Sequence, residues 1–195
     1  IPVARIELLD TVQVQACNRY SKYDLPERPL LLTEFHGSEA SVIEQAEQFK
    51  GIALENGATD FDFSSDPDRR AKLWQVRHDA YWAAQALVPN GDITITDVCV
   101  PISRLAECVE ATQSDIEENG LIAPIVGHVG DGNFHCIALA PKGDDALAQA
   151  IHAFSKRLSL RAIEMGGTCT GEHGVGQGKQ DYLRIEADAA VATMQ

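Results

Sequence analysis

The sequence predicts an α+β domain: an antiparallel or mixed sheet in ferredoxin-like style, with helices packed mainly on one face. Three observations carry this expectation. β-branched and aliphatic segments alternate with capped amphipathic stretches in the order β-α-β-α-β-α-β-α-β-β-α, followed by a loop and a helix. A hairpin pattern at Ala123–Ala140 calls for antiparallel pairing late in the chain. No Gly-x-Gly-x-x-Gly follows an early strand, so nothing marks a doubly wound nucleotide-binding half.

The elements follow from local signals. Val3–Leu9 reads as a strand, and Asp10 can cap a helix through Asn18. Pro26–Pro29 is a loop, and Leu30–Phe35 is a second strand ended by His36-Gly37. Ser38 with Glu39 and Ser41 with Glu44 are helix-start signals, the second matching a capping box. Gly57 is suited to end that helix in a left-handed conformation. Thr59–Phe63 reads as a short strand. Asp66-Pro67 opens the next helix, which carries Leu73, Trp74, Val76, Ala80, Tyr81 and Ala84 at helical spacing. Pro89–Asp92 is a turn, Ile93–Val100 a β-branched strand, and Pro101-Ile-Ser103 starts a helix through Asn119-Gly120. Asp144–Met165 is a long amphipathic helix stopped by Gly166-Gly167, and the chain turns helical again from about Gly176.

The 195 residues fit one domain or two small lobes sharing a core. A net charge of −13 argues against a nucleic-acid partner, which needs a basic face. No apolar run reaches the roughly 18 residues of a membrane span. The five cysteines (17, 99, 108, 136, 169) show no paired spacing and read as reduced thiols of an intracellular compartment. The chain starts inside a strand pattern without Met and stops inside a helical one. Both ends therefore read as cuts in a longer protein.

The chemistry concentrates in two segments. In His128-Val-Gly-Asp-Gly-Asn-Phe-His135, Asp131-Gly132 is the pair favoured by a two-residue type I′ turn. That turn would set His128 opposite His135 on one face, with Cβ atoms roughly 4.5–5.5 Å apart. Gly166–Gly174 holds four glycines together with Glu172-His173. Two histidines and one carboxylate suit a divalent cation with open positions, zinc first and manganese or iron next. The plainer alternatives are two structural histidines and a flexible connector. Arg77 lies beside Trp74, Tyr81 and Trp82: it is either a solvated residue packed on aromatics or a bidentate carboxylate clamp whose pocket Tyr81 and Trp82 wall. Asp131 reads as a turn former, His152 as a helix-surface residue, and His36 and His78 are ambiguous. On these residues alone the chain could also be a metal-dependent hydrolase, a metal-binding module or an interaction domain.

Three segments carry a family resemblance: Thr96–Leu105, Gly127-His-Val-Gly-Asp-Gly-Asn-Phe-His-Cys136 and Gly167-Thr-Cys-Thr-Gly-Glu-His-Gly174. They closely resemble segments of cytochrome-type D-lactate dehydrogenases, of the FAD-linked chain of glycolate oxidase and of D-2-hydroxyglutarate dehydrogenase. These are FAD-linked oxidases of the vanillyl-alcohol-oxidase type. The resemblance covers nearly the whole chain and implies a division of labour. An N-terminal domain would hold FAD, and this chain would be the C-terminal substrate and cap domain. It further implies that His128, His135 and Glu172 hold zinc or manganese, that His173 is the general base, that Arg77 (with Tyr81 beside it) meets the substrate carboxylate, and that Asn133 lies near the flavin. Ile137 replaces an Asn of the hydroxyglutarate branch, and the Ile93–Val100 strand lacks that branch's Lys. Both departures favour a short 2-hydroxy acid such as D-lactate. The implied partners are the chain's own FAD-binding domain, an electron acceptor such as cytochrome c or a quinone, and possible homodimers. The implied setting is bacterial cytoplasm or membrane periphery, or the mitochondrion in a eukaryote.

Overall fold

The computed structural model describes residues 1–187. Its elements run β1 (Arg5–Leu9), α1 (Thr11–Ser21), β2 (Leu30–Glu34), α2 (Glu39–Glu55), α3 (Pro67–Gln85), β3 (Asp92–Ile95), β4 (Val98–Cys99), α4 (Ile102–Glu118), β5 (Ile125–Gly127), β6 (Asn133–Ala140), α5 (Asp145–Glu164) and α6 (Gln180–Glu186). The part of the C-terminal helical pattern from residue 188 onward lies outside the described residues. Strands pair antiparallel in the order β2-β1-β5-β6-β3, with β4 also on β6. The expected α+β class with helices on an antiparallel sheet is what the chain adopts.

Those helices are shared between both faces of the sheet, rather than lying mainly on one. The reason is β6, whose eight residues are all buried. A strand without a solvent-facing alternation needs cover on both sides. Phe134, Cys136, Ala138 and Ala140 point into a core completed by Leu105 and Cys108 of α4 and Ile151, Phe154 and Leu158 of α5. Ile137 and Leu139 point the other way, against Ala80 and Ala84 of α3. Beside them α1 and α3 bury Val14, Cys17 and Val76 with Leu9.

Side-chain caps start α1, α2, α3 and α5. Asp10 accepts from the Gln13 N–H at 2.7 Å, Asp66 from Asp68 and Arg69 at 2.8 and 3.0 Å, and Asp144 from Leu147 at 3.0 Å. For α2 the cap is Ser38, which accepts from the Ser41 N–H at 3.3 Å. The Ser41–Glu44 spacing thus falls inside the helix rather than at its cap. Thr59–Phe63 forms no strand. Its polar groups are taken by side chains: Arg28 donates to Thr59 Oγ1 at 2.6 Å and to Asp60 at 3.3 Å, and Arg69 pairs with Asp62.

Two departures in the sheet shape the site. The expected strand Ile93–Val100 is interrupted at Thr96-Asp97, with β3 and β4 resuming in one register along β6. Thr96 breaks the ladder because its hydroxyl, not its carbonyl, accepts the Cys136 N–H at 2.8 Å. The expected two-residue turn is a four-residue loop, Val129–Gly132. Val126 pairs with His135, and the His128 carbonyl accepts from the N–H groups of Asp131 at 3.0 Å and Asn133 at 3.3 Å. Asp131 does not take the positive φ that a type I′ turn demands. Only Gly132 does, at φ 78°, in a loop built around a tighter first turn. The shift of two residues preserves the face, so His128 and His135 are diagonal neighbours with ring centroids 6.0 Å apart.

Gly132 is required twice over. Its φ is strained for any L side chain, and an added Cβ would sit 2.1 Å from the Val100 carbonyl oxygen. Gly132→Ala is expected to cost roughly 2–6 kcal/mol, combining backbone strain and overpacking. The urea midpoint reads this; an unshifted midpoint would mean that the loop rebuilds freely.

Candidate active site

The site lies on the α3 face of the sheet, where Glu7 of β1, His128 just after β5 and His135 of β6 stand side by side. Each strand histidine has its Nδ1 occupied. His135 Nδ1 faces the Thr96 carbonyl at 3.1 Å, freed for this by the hydroxyl that replaces it in the ladder. His128 Nδ1 faces Glu7 Oε1 at 2.7 Å. Carbonyl and carboxylate oxygens only accept, so each Nδ1 carries a hydrogen, and Nε2 is the ring nitrogen left for a ligand. Both Nε2 atoms point at Glu172: its Oε1 lies 3.0 Å from His135 Nε2 and 3.6 Å from His128 Nε2. His173 Nε2 is 3.5 Å from the same oxygen, with its ring stacked on His135 at 4.9 Å. Burial pushes the His135 pKa down, partly opposed by Asp97 and the Thr96 carbonyl.

The Glu172-His173 segment is held by a second buried carboxylate. Asp97 Oδ2 accepts from the Thr170 hydroxyl at 2.8 Å and from the backbone N–H groups of Gly171 and His173, both at 2.9 Å, and Glu172 at 3.2 Å. Its Oδ1 accepts from Asn133 Nδ2 at 2.9 Å. Lys179 Nζ reaches over the cradle to the carbonyls of Asp97 and Cys169, both at 2.7 Å. Burial alone would raise the Asp97 pKa; the hydrogen bonds from His173, Asn133 and Thr170 outweigh it and hold the carboxyl well below the usual range. Gly171 must be glycine, since a Cβ there would lie 1.9 Å from Asn133 Nδ2.

Of the residues anticipated from sequence, His128, His135, Glu172 and His173 meet. Arg77 joins them through Glu7, to which its Nε donates at 2.9 Å. Its two terminal nitrogens make no hydrogen bond among the described residues. Trp74, expected as its aromatic bed, carries Arg5 instead, 3.5 Å above the ring. Tyr81 lies one turn beyond Arg77 on α3, edge-on to the exposed Trp82 at 5.0 Å. Asn133 is turned inward, 5% exposed, donating to Asp97 and to the Val98 carbonyl. It thereby braces the cradle.

Glu7, Thr96, Asp97 and Lys179 carry no role in the sequence reading. The cysteines are unpaired, and burial pushes the Cys136 thiol up to about 12, as befits an inert packed residue.

Two histidine nitrogens and a carboxylate oxygen within 4.8 Å of one another, each histidine oriented by a hydrogen bond from its other nitrogen, suit a divalent cation. An adjacent basic residue and an arginine with free donors suit an anionic substrate. The chain is 47% identical over 186 residues to a protein named probable D-lactate dehydrogenase, mitochondrial, of Danio rerio, matching 95% of this chain and 37% of that one. It is 41% identical to the D-lactate dehydrogenase [cytochrome], mitochondrial, of Arabidopsis thaliana (95% and 33%) and 30% identical to glycolate oxidase subunit GlcD of Escherichia coli K12 (91% and 36%). It therefore spans about a third of the length of these relatives. A solved 4-ethylphenol oxidase from Gulosibacter chungangensis shares the fold with a TM-score of 0.56 at 12% identity, over 94% of this chain and 45% of that one. The family description "FAD linked oxidases, C-terminal domain" matches residues 1–195 in full, and with relatives this similar the chain belongs to that family.

Proposed function

We propose that this chain is the substrate domain of an FAD-dependent dehydrogenase that oxidises D-lactate, or a similarly short D-2-hydroxy acid, to the 2-oxo acid. The observation that carries the reading is the meeting of His128, His135 and His173 around the Glu172 carboxylate, beside an arginine whose terminal donors are free among the described residues. The names of the Danio rerio and Arabidopsis thaliana relatives support the substrate class and, in a eukaryote, a mitochondrial setting. No helix among the described residues is long and apolar enough to cross a membrane.

The residues divide the work. His128, His135 and Glu172 would hold zinc or manganese, which supplies Lewis acidity toward a substrate hydroxyl, while FAD supplies the hydride acceptor. His173 takes the hydroxyl proton at Nε2; its half-exposed ring can pass that proton to solvent. Arg77 offers its terminal nitrogens to the substrate carboxylate, and Tyr81 walls the same side. The 2-hydroxyl and carboxylate are thereby fixed together, which orients the carbon that loses hydride.

The test is a panel of short 2-hydroxy acids on the complete protein, before and after chelation and with zinc or manganese restored. D-lactate oxidation should vanish on chelation and return with metal. Arg77→Ala should raise KM for D-lactate about 10–150-fold, the equivalent of 1.5–3 kcal/mol for a hydrogen bond between charged groups. Full activity in metal-free protein, or no activity on any short 2-hydroxy acid, would overturn the reading.

A further inference from the structure

We infer that Glu7 is the positioning residue that couples cation binding to substrate binding in this site, an inference resting on the function proposed above. Glu7 is a buried carboxylate, 2% exposed, in the middle of β1. Its two oxygens serve two different functional side chains: Oε1 faces His128 Nδ1 at 2.7 Å, and Oε2 accepts from Arg77 Nε at 2.9 Å. Packing alone does not ask for a charge here. Leu9, two residues along on the same face, sits in an apolar cluster with Val14, Leu32 and Val76. A buried carboxylate is costly unless both oxygens keep their partners, and an apolar side chain is often at least as stable.

The two bonds act on different ligands. The bond to His128 fixes its tautomer and aims the Nε2 lone pair at Glu172. The bond to Arg77 uses the Nε–H and so sets the plane of the guanidinium, leaving the terminal pair of nitrogens as the free edge. One carboxylate therefore orients a nitrogen for a cation and a fork for an anion. No hydrogen bond joins His128 to Arg77 among the described residues. Disturbing Glu7 should change both affinities together, whereas His128→Ala acts first on the cation and Arg77→Ala first on the anion.

Glu7→Gln separates this from a space-filling role. The amide keeps the size but has one acceptor and one donor end, so it can satisfy His128 or Arg77, not both. In the complete, FAD-loaded protein, zinc affinity measured by chelator competition should fall 10–100-fold, and KM for D-lactate should rise in the same variant. Flavin content should be unchanged. Glu7→Leu, which follows the apolar pattern of its face, should show the same paired loss and serves if the glutamine variant folds poorly. Zinc affinity and KM both at wild-type values in these variants, or a change in only one of them, would overturn the inference. His128→Ala in parallel tells the two failures apart. If it loses zinc while the Glu7 variants do not, only the role of Glu7 falls. If wild type itself holds neither zinc nor manganese, the proposed function falls and takes Glu7 with it.

Discussion

His128→Ala and His135→Ala are each expected to leave the complete protein without a retained divalent cation. Loss of an outer partner of a metal ligand costs about 10–100-fold in affinity, and loss of one of three protein ligands should exceed that. D-lactate turnover should fall with the metal. The two variants should differ in stability. His128 is about a third exposed on its side chain, whereas His135 is 5% exposed and occupies the Thr96 carbonyl. Its removal strands that acceptor and leaves a void, a loss of roughly 1–3 kcal/mol for the unsatisfied group alone. Metal analysis of the purified variants together with their melting temperatures reads both effects. Stoichiometric metal retained in either variant would show that the pair is structural.

The metal-site candidates were legible because their signals are local and chemically rare. Two histidines flanking a glycine turn share a face whether the loop has two residues or four, because a slip of two restores the pleat. The error in turn type therefore left the pairing of His128 with His135 intact in kind, moving it from opposite to diagonal. The turn type is not legible in Asp131-Gly132 alone. Gly132 packs under the Val100 carbonyl just after β4, a contact from some thirty residues earlier that no local pattern reports. The covering of both faces was foreshadowed in Phe134–Ala140, a run too continuously apolar for a half-exposed strand.

Glu7 and Asp97 were missed for opposite reasons. Glu7 is a single charge in a short strand, and nothing in Arg5–Leu9 says which face will be buried; its meaning comes from α3 and β5, 70 and 121 residues away. Asp97 did leave a signal. An acidic residue inside the β-branched run Ile93–Val100 breaks the pattern of a buried strand, and such a break commonly marks function. Its partners, the N–H groups of Gly171, Glu172 and His173, also explain the glycines there: the backbone must wrap a carboxylate closely.

Asp97→Asn is accordingly expected to damage catalysis without removing any residue that touches substrate. Asparagine matches the shape but offers one acceptor where the carboxylate gathers donors on both oxygens, and its amide end would face N–H groups. The Thr170–His173 segment should loosen, carrying Glu172 and His173 off the two strand histidines. Misplacing a general base forfeits up to about 10²–10⁴-fold in kcat. Stability should fall as well, by roughly 1.5–3 kcal/mol for each charge-assisted hydrogen bond lost. The pH dependence identifies the cause. The folded-state pKa of Asp97 is depressed, so its contribution is present above the ordinary carboxylate pKa and is lost as the pH falls below about 4. The stability gap between wild type and Asp97→Asn should be constant around neutrality and shrink in that acid window. Urea unfolding at pH 7 and pH 3 measures it. A gap that does not shrink, or wild-type turnover in the variant, would mean that the segment keeps its shape without the charge, and that the bonds around Asp97 record packing rather than the positioning of the base.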